Sequence, residues 1–142
     1  SHYFKCNHDV VDKYEKAPGI INEDIVDFKN KKYDLIVSIS TIEHIGYDEK
    51  PRDLDKIDKA LGNIKKLLNE NGRFIATFPV NYNKNLDEKL AKKQLPFSKL
   101  CFMKRISKEN EWVETTYDEV KDVKFGSPFG YANAIVIGYI DN

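Results

Sequence analysis

The segment Tyr33-Asp34-Leu35-Ile36-Val37-Ser38-Ile39 is a nearly continuous apolar run, and a helical stripe and a second apolar run follow it. This succession constrains the fold more than any other feature of the chain. After Pro51, the residues Leu54, Ile57, Leu61, Ile64 and Leu68 recur at steps of three and four, with Lys, Asp and Asn between them. That spacing lines one face of a helix with apolar side chains. Asn71-Gly72 is expected to close the helix, because glycine accepts the left-handed backbone past a helix C-terminus. Arg73 to Pro79, centred on Phe74-Ile75-Ala76-Thr77-Phe78, then reads as the next strand. Strand, helix, glycine turn and strand form a crossover unit with two parallel strands. The nearly continuous apolar character of Tyr33 to Ile39 predicts a strand covered on both faces.

Shorter elements flank this unit. Asp9 to Asp12 reads as a short strand around Val10-Val11, Ala17-Pro18-Gly19 as a break, and Gly19 to Ile21 as a second strand. Asn85-Leu86-Asp87-Glu88 resembles a capping box that opens a helix with Leu86 and Leu90 on its apolar side. Leu100 to Ile106 and Trp112 to Thr116, around Lys108-Glu109-Asn110, suggest an antiparallel hairpin, and Ala134 to Ile140 a buried closing strand. No internal repeat or linker interrupts the 142 residues, so one α/β domain over 1–142 is expected. With 41% hydrophobic residues and no formal net charge, the chain is not of the disordered class, and it has no global electrostatic pull towards nucleic acid. Its longest apolar runs reach only about seven residues, too few to span a bilayer as a helix, so no membrane partner is expected. Cys6 and Cys101 are too few and too far apart for a disulfide framework, which favours a reducing, cytoplasmic setting. His2 and His8 lie far from His44 in sequence, and no complete metal ligand set is expected.

In an open α/β sheet, ligands bind beyond the carboxyl ends of the strands. Three such ends carry polar groups here. Asp12 ends the first strand, and a carboxylate there could accept both hydroxyls of a ribose. Glu23-Asp24-Ile25 follows the second, an acid beside an apolar residue, able to hold an adenine amine and ring face. Ser38-Ile39-Ser40-Thr41-Ile42-Glu43-His44-Ile45 ends the third, where small polar residues give way to an acid and an imidazole. Each also has a plain structural reading: Asp12 as a solvated loop acid, Asp24 as a turn cap, and Glu43 as a first-turn acid favoured by a helix dipole. The aromatics Phe97, Phe102, Trp112, Tyr117, Phe125, Phe129 and Tyr131 read first as the cover of one hairpin face, and second as a substrate wall.

The run Tyr33 to Ile45 resembles the fourth-strand motif of class I S-adenosylmethionine-dependent methyltransferases. The stretch Ile64-Lys65-Lys66-Leu67-Leu68-Asn69-Glu70-Asn71-Gly72-Arg73-Phe74-Ile75-Ala76-Thr77 resembles their next helix, glycine turn and strand. The resemblance implies a Rossmann-like methyltransferase fold: a mostly parallel sheet with helices on both faces and antiparallel C-terminal strands. It implies S-adenosylmethionine as cofactor, with Asp12 at the ribose, Asp24 and Ile25 at the adenine, and Ser40 and Thr41 near the methionine moiety. Glu43 and His44 would face a small-molecule or glycan-type acceptor, His44 as general base. The family's first strand and glycine-rich turn should precede Asp12, yet Ser1 to Cys6 contains no glycine. The implied alternatives are an N-terminal truncation, a strand supplied by another chain, or a rearranged sheet. Unpaired central edges would leave room for a homodimer. Two rival functions stand beside this one: a degenerate, non-catalytic Rossmann-like module acting in assembly or binding, and a different nucleotide-binding α/β protein.

Overall fold

The computed structural model describes residues 8–142, so the expectations resting on Ser1 to Cys6 lie outside the described residues. Val10–Val11 (β1) and Ile20–Ile21 (β2) form a short parallel pair. Tyr33–Ile39 (β3) leads through a 3-10 turn at Ile42–His44 to the helix Lys56–Leu67 (α1), and Leu68–Pro79 (β4) follows at once. Lys84–Ala91 (α2), Lys99–Arg105 (β5), Trp112–Thr115 (β6), the single turn Tyr117–Val120 (α3) and Ala134–Asp141 (β7) complete the order. The second sheet has five strands in the order β3-β4-β7-β5-β6.

Strands β3 and β4 are parallel and joined by α1, as the apolar pattern requires. The other three pairings in this sheet, β4 with β7, β7 with β5 and β5 with β6, are antiparallel. The expectation of a mostly parallel sheet is therefore corrected. β7 runs against both of its neighbours and inserts between β4 and β5, so that these two strands, which run the same way with α2 between them in the chain, do not pair. The β5–β6 hairpin forms where the sequence places it.

The helices α1, α2 and α3 pack against one face of the sheet. Ile57, Leu61 and Ile64 of α1, Leu86 and Leu90 of α2 and Val120 of α3 share a buried cluster with Phe74, Ala76, Phe78, Val136 and Ile140. Cross-strand register puts those sheet residues side by side, Phe74 opposite Ile140 and Phe78 opposite Val136. Phe97 stacks on Phe78 at 6.0 Å and lies against Gly138, where a Cβ would stand 2.7 Å from its ring.

The opposite face carries Leu35, Val37, Ile39, Ile75, Ile137 and Tyr139, and none of them belongs to the buried cluster. Leu35, Val37 and Ile39 are 55%, 53% and 69% exposed. Helices on both faces and a β3 covered on both faces are thus not found among the described residues. A continuous apolar run reports what a strand could bury, not whether a layer is present to bury it.

Two local readings also change. Helix α1 ends at Leu67, before Asn71-Gly72. Asn69 to Gly72 instead form an irregularity in β4, where the register with β3 shifts between Tyr33 and Leu35. Asn71 takes the left-handed backbone there, at φ 62. A Cβ on Gly72 would lie 2.8 Å from the Tyr33 carbonyl oxygen and 2.9 Å from that of Asn69. Glycine is required for this close approach, not for a helix end. The cap of α2 is Asn83, whose side chain accepts from the Leu86 amide, and not the Asn85 box.

Gly72→Ala forces backbone against backbone and is expected to cost about 1–3 kcal/mol, the range for overpacking a filled site. Urea unfolding checks this through a lower midpoint at an unchanged slope.

Candidate functional site

Strand β3 stops because Ser40 adopts a left-handed backbone, at φ 48, a conformation that costs a non-glycine residue energy and must be held by its surroundings. It is held by β4: the Ser40 amide donates to the Thr77 carbonyl oxygen at 2.9 Å and lies 3.2 Å from Thr77 Oγ1. Thr41 Oγ1 donates back to the Ile39 carbonyl at 3.1 Å. The chain then enters the turn Ile42–His44, which buries Ile42 and Glu43 and leaves His44 half-exposed.

These residues form one wall of a cavity of about 340 Å³. The opposite wall comes from the ends of β1 and β2, and the cavity brings together Asp12, Asp24, Ile25, Ser40, Thr41 and His44. Glu43 stands apart. It points behind His44 into the core at 2% exposure, and its Oε2 has no hydrogen-bond partner among the described residues. Burial holds its carboxyl above the usual carboxylate range.

Asp12 is partly committed to its own turn. Its Oδ1 accepts from the Tyr14 amide at 2.8 Å and the Glu15 amide at 2.7 Å, and these bonds, Glu15 foremost, hold its carboxyl below the ordinary value. Asp24 is more strongly engaged. Lys56 Nζ lies 2.6 Å and Lys13 Nζ 3.0 Å from its Oδ2, and both ammonium groups also contact Glu49 Oε2, at 2.6 and 3.0 Å. Burial alone would raise the Asp24 carboxyl. The hydrogen bonds from Lys56 and then Lys13 outweigh it and bring the pKa from 3.8 to about 2.

His44 is the centre of a second cluster. Its Nδ1 is 2.5 Å from Asp48 Oδ2 and 3.1 Å from the Tyr82 hydroxyl, which itself donates to Asp48 Oδ2 at 2.6 Å. Its Nε2 is 3.7 Å from Glu43 Oε1. The Tyr82 ring meets His44 edge-on at 5.0 Å and Phe125 at 5.1 Å. Phe125 lines a second, more open recess of about 440 Å³, together with Asn81, Lys84, Lys121, Asp122 and Lys124. Tyr82 therefore stands between two concavities.

Sequence reading missed Lys13, Asp48, Glu49, Lys56 and Tyr82. Asp48 was within reach of it, four residues from His44 and able to return to it in one turn. Tyr82 follows the carboxyl end of β4, the position where the other candidates were sought. The aromatics divide: Phe97, Phe102 and Tyr117 pack on the core, Phe125 borders the site, and Tyr131 is 84% exposed. Among the described residues, no group of three or more His, Cys, Asp or Glu side chains is placed to hold a metal ion. No helix among them is long and apolar enough to cross a membrane.

No protein-family model matches the chain, and no curated protein does. Among solved structures, it is similar to the N-methyltransferase NodS from Bradyrhizobium japonicum WM9 in complex with S-adenosyl-l-homocysteine, with a TM-score of 0.52 at 12% identity. The match covers 87% of this chain and 54% of that one, so the chain spans about half the length of its structural neighbour. The likeness shows a methyltransferase-like α/β fold.

Lys56→Met leaves Asp24 and Glu49 with the exposed Lys13 alone and is expected to lower stability at neutral pH. A carboxyl with a depressed folded pKa stabilises above its unfolded pKa and loses that contribution as pH falls. For Asp24 the loss falls between 3.8 and about 2. Stability measured across that window should drop with acid in the parent chain and flatten in Lys56→Met.

Proposed function

We propose that the chain is an S-adenosylmethionine-dependent methyltransferase-like domain that transfers a methyl group to a small-molecule or glycan-type acceptor. The observation that carries this reading is the single cavity uniting Asp12, Asp24, Ile25, Ser40, Thr41 and His44 at the ends of successive strands. Its volume falls in the range of about 300–1,000 Å³ common to small-molecule sites. The donor set suits the group. Asp12 keeps Oδ2 for a ribose diol, Ile25 offers an apolar surface for a purine, and the Ser40 hydroxyl and the lone pairs of Thr41 Oγ1, whose hydrogen goes to the Ile39 carbonyl, are left for a polar amino-acid end.

In this reading Asp24 and Ile25 take the adenine, Asp12 the ribose, and Ser40 and Thr41 the methionine moiety. When bound, the cofactor supplies a methyl group already activated on a sulfonium sulfur, so the residues chiefly orient and exclude water. His44 acts as general base on the acceptor side, with Glu43 behind it. The recess bordered by Phe125 and Lys84 lies beyond Tyr82, on the Nδ1 side of the imidazole.

One observation favours a second reading, a non-catalytic module acting in assembly or binding. Lys13 and Lys56 already hold Asp24 Oδ2 and the Val26 amide donates to its Oδ1, so an adenine amine would compete with these groups for the carboxylate.

Calorimetric titration with S-adenosylmethionine and S-adenosylhomocysteine separates the two. Binding tighter than about 100 μM, about −5.5 kcal/mol, supports the methyltransferase reading, and no binding supports the non-catalytic one. Asp12→Asn keeps an acceptor for the Tyr14 and Glu15 amides but turns the open oxygen into a donor. It should weaken cofactor binding by about 1–3 kcal/mol, the scale of an unmet charged hydrogen bond. His44→Ala should leave that affinity nearly unchanged.

A further inference from the structure

His44 has two ring nitrogens in very different surroundings. Asp48 presents a carboxylate to Nδ1, and its hydrogen bonds from His44 and Tyr82 hold its carboxyl below the ordinary value. An ionised carboxylate only accepts hydrogen bonds. The 2.5 Å contact therefore places a hydrogen on Nδ1, and the 2.6 Å contact places the Tyr82 hydrogen towards Asp48. Tyr82 itself stays protonated, because its bond to Asp48, with burial, raises its pKa to about 12. It is not a base. Its oxygen, 3.1 Å from Nδ1, shares the same hydrogen. A neutral imidazole with hydrogen on Nδ1 carries its lone pair on Nε2.

Among the described residues Nε2 has no hydrogen-bond partner: Glu43 Oε1 is 3.7 Å away, beyond donor–acceptor range. The Glu43 carboxyl is almost fully buried, and its second oxygen has no partner among the described residues. Among the described residues the groups against the ring are thus Glu43, Asp48 and Tyr82, while Arg52 lies over the Tyr47 ring at 4.2 Å with its Nε committed to the Tyr47 carbonyl.

We infer that Asp48 and Tyr82 are positioning residues that fix His44 as the Nδ1–H tautomer, so that Nε2 takes a proton from an acceptor whose attacking atom is a hydroxyl oxygen or an ammonium nitrogen. The assignment of that acceptor to methyl transfer rests on the reading above. In the step itself, the O–H or N–H bond of the acceptor breaks and its electron pair stays on the acceptor atom. The proton passes to the Nε2 lone pair. The resulting imidazolium lies between Asp48, which keeps its bond from Nδ1, and Glu43. An acceptor without a removable proton would make no use of this arrangement.

The tautomer can be read without any ligand. Long-range proton–nitrogen correlation spectra of the ¹⁵N-labelled full chain report which ring nitrogen carries hydrogen, and His44→Gln identifies the His44 signals among the three histidines. In the parent chain the neutral His44 ring should be mainly the Nδ1–H form. Asp48→Ala should reverse the ratio in favour of the Nε2–H form that free imidazole side chains prefer. Tyr82→Phe, which keeps the ring contacts and removes the hydroxyl, should move it in the same direction by less. If Asp48→Ala perturbs the backbone amide spectrum, Asp48→Asn supplies the comparison at constant size. A parent ring already in the Nε2–H form, or a ratio unmoved in both Asp48 variants, overturns the inference. Because nothing is added to the sample, this result is independent of whether S-adenosylhomocysteine binds.

Discussion

The structure depends on the burial of one face of β4. Phe74, Ala76 and Phe78 are wholly excluded from solvent, pressed between α1 and α2 on one side and aligned with β7 along the sheet. One wall of the cavity hangs from this strand. Its Thr77 holds the strained Ser40 backbone, and its continuation through Pro79 and Val80 delivers Tyr82 to His44. A buried aromatic such as Phe74 contributes on the order of several kcal/mol. That is ample to sustain one residue in a sparsely populated backbone conformation.

Much of this was legible in the sequence, for identifiable reasons. The run Tyr33 to Ile39 and the stripe through Ile57, Leu61 and Ile64 are local periodicities, and the β3–α1–β4 unit follows from them directly. The hairpin of β5 and β6 was readable for the same reason. What could not be read locally was non-local pairing. Nothing in Ala134 to Asp141 says that it slots between β4 and β5, and a sheet expected to be mostly parallel becomes mostly antiparallel by that one insertion. Gly72 shows how one residue supports two readings: the glycine is required, but by the Tyr33 carbonyl across the sheet and not by a helix end.

The candidate site was legible in its outline and opaque in its charges. Asp12, Asp24, Ile25, Ser40, Thr41 and His44 line one cavity because strand ends on one edge of a fold are neighbours. Whether each polar group is free or already engaged depends on side chains far off in sequence. Lys56 reaches Asp24 across 32 positions, and Tyr82 reaches Asp48 across 34. Glu43 and His44 are adjacent in the chain, yet Glu43 is buried behind the imidazole while His44 lines the cavity.

Asn83 ties the helix layer to the site through a single amide. Its Oδ1 accepts from the Leu86 amide and so caps α2, while its Nδ2 donates to the Glu43 carbonyl at 2.7 Å. Both bonds are buried, and both are made by one side chain. The first turn of α2 and the Glu43–His44 turn are therefore linked through that amide, so that opening one withdraws support from the other. A substitution that loosens the start of this helix would be felt at the imidazole, with no change in any residue lining the cavity.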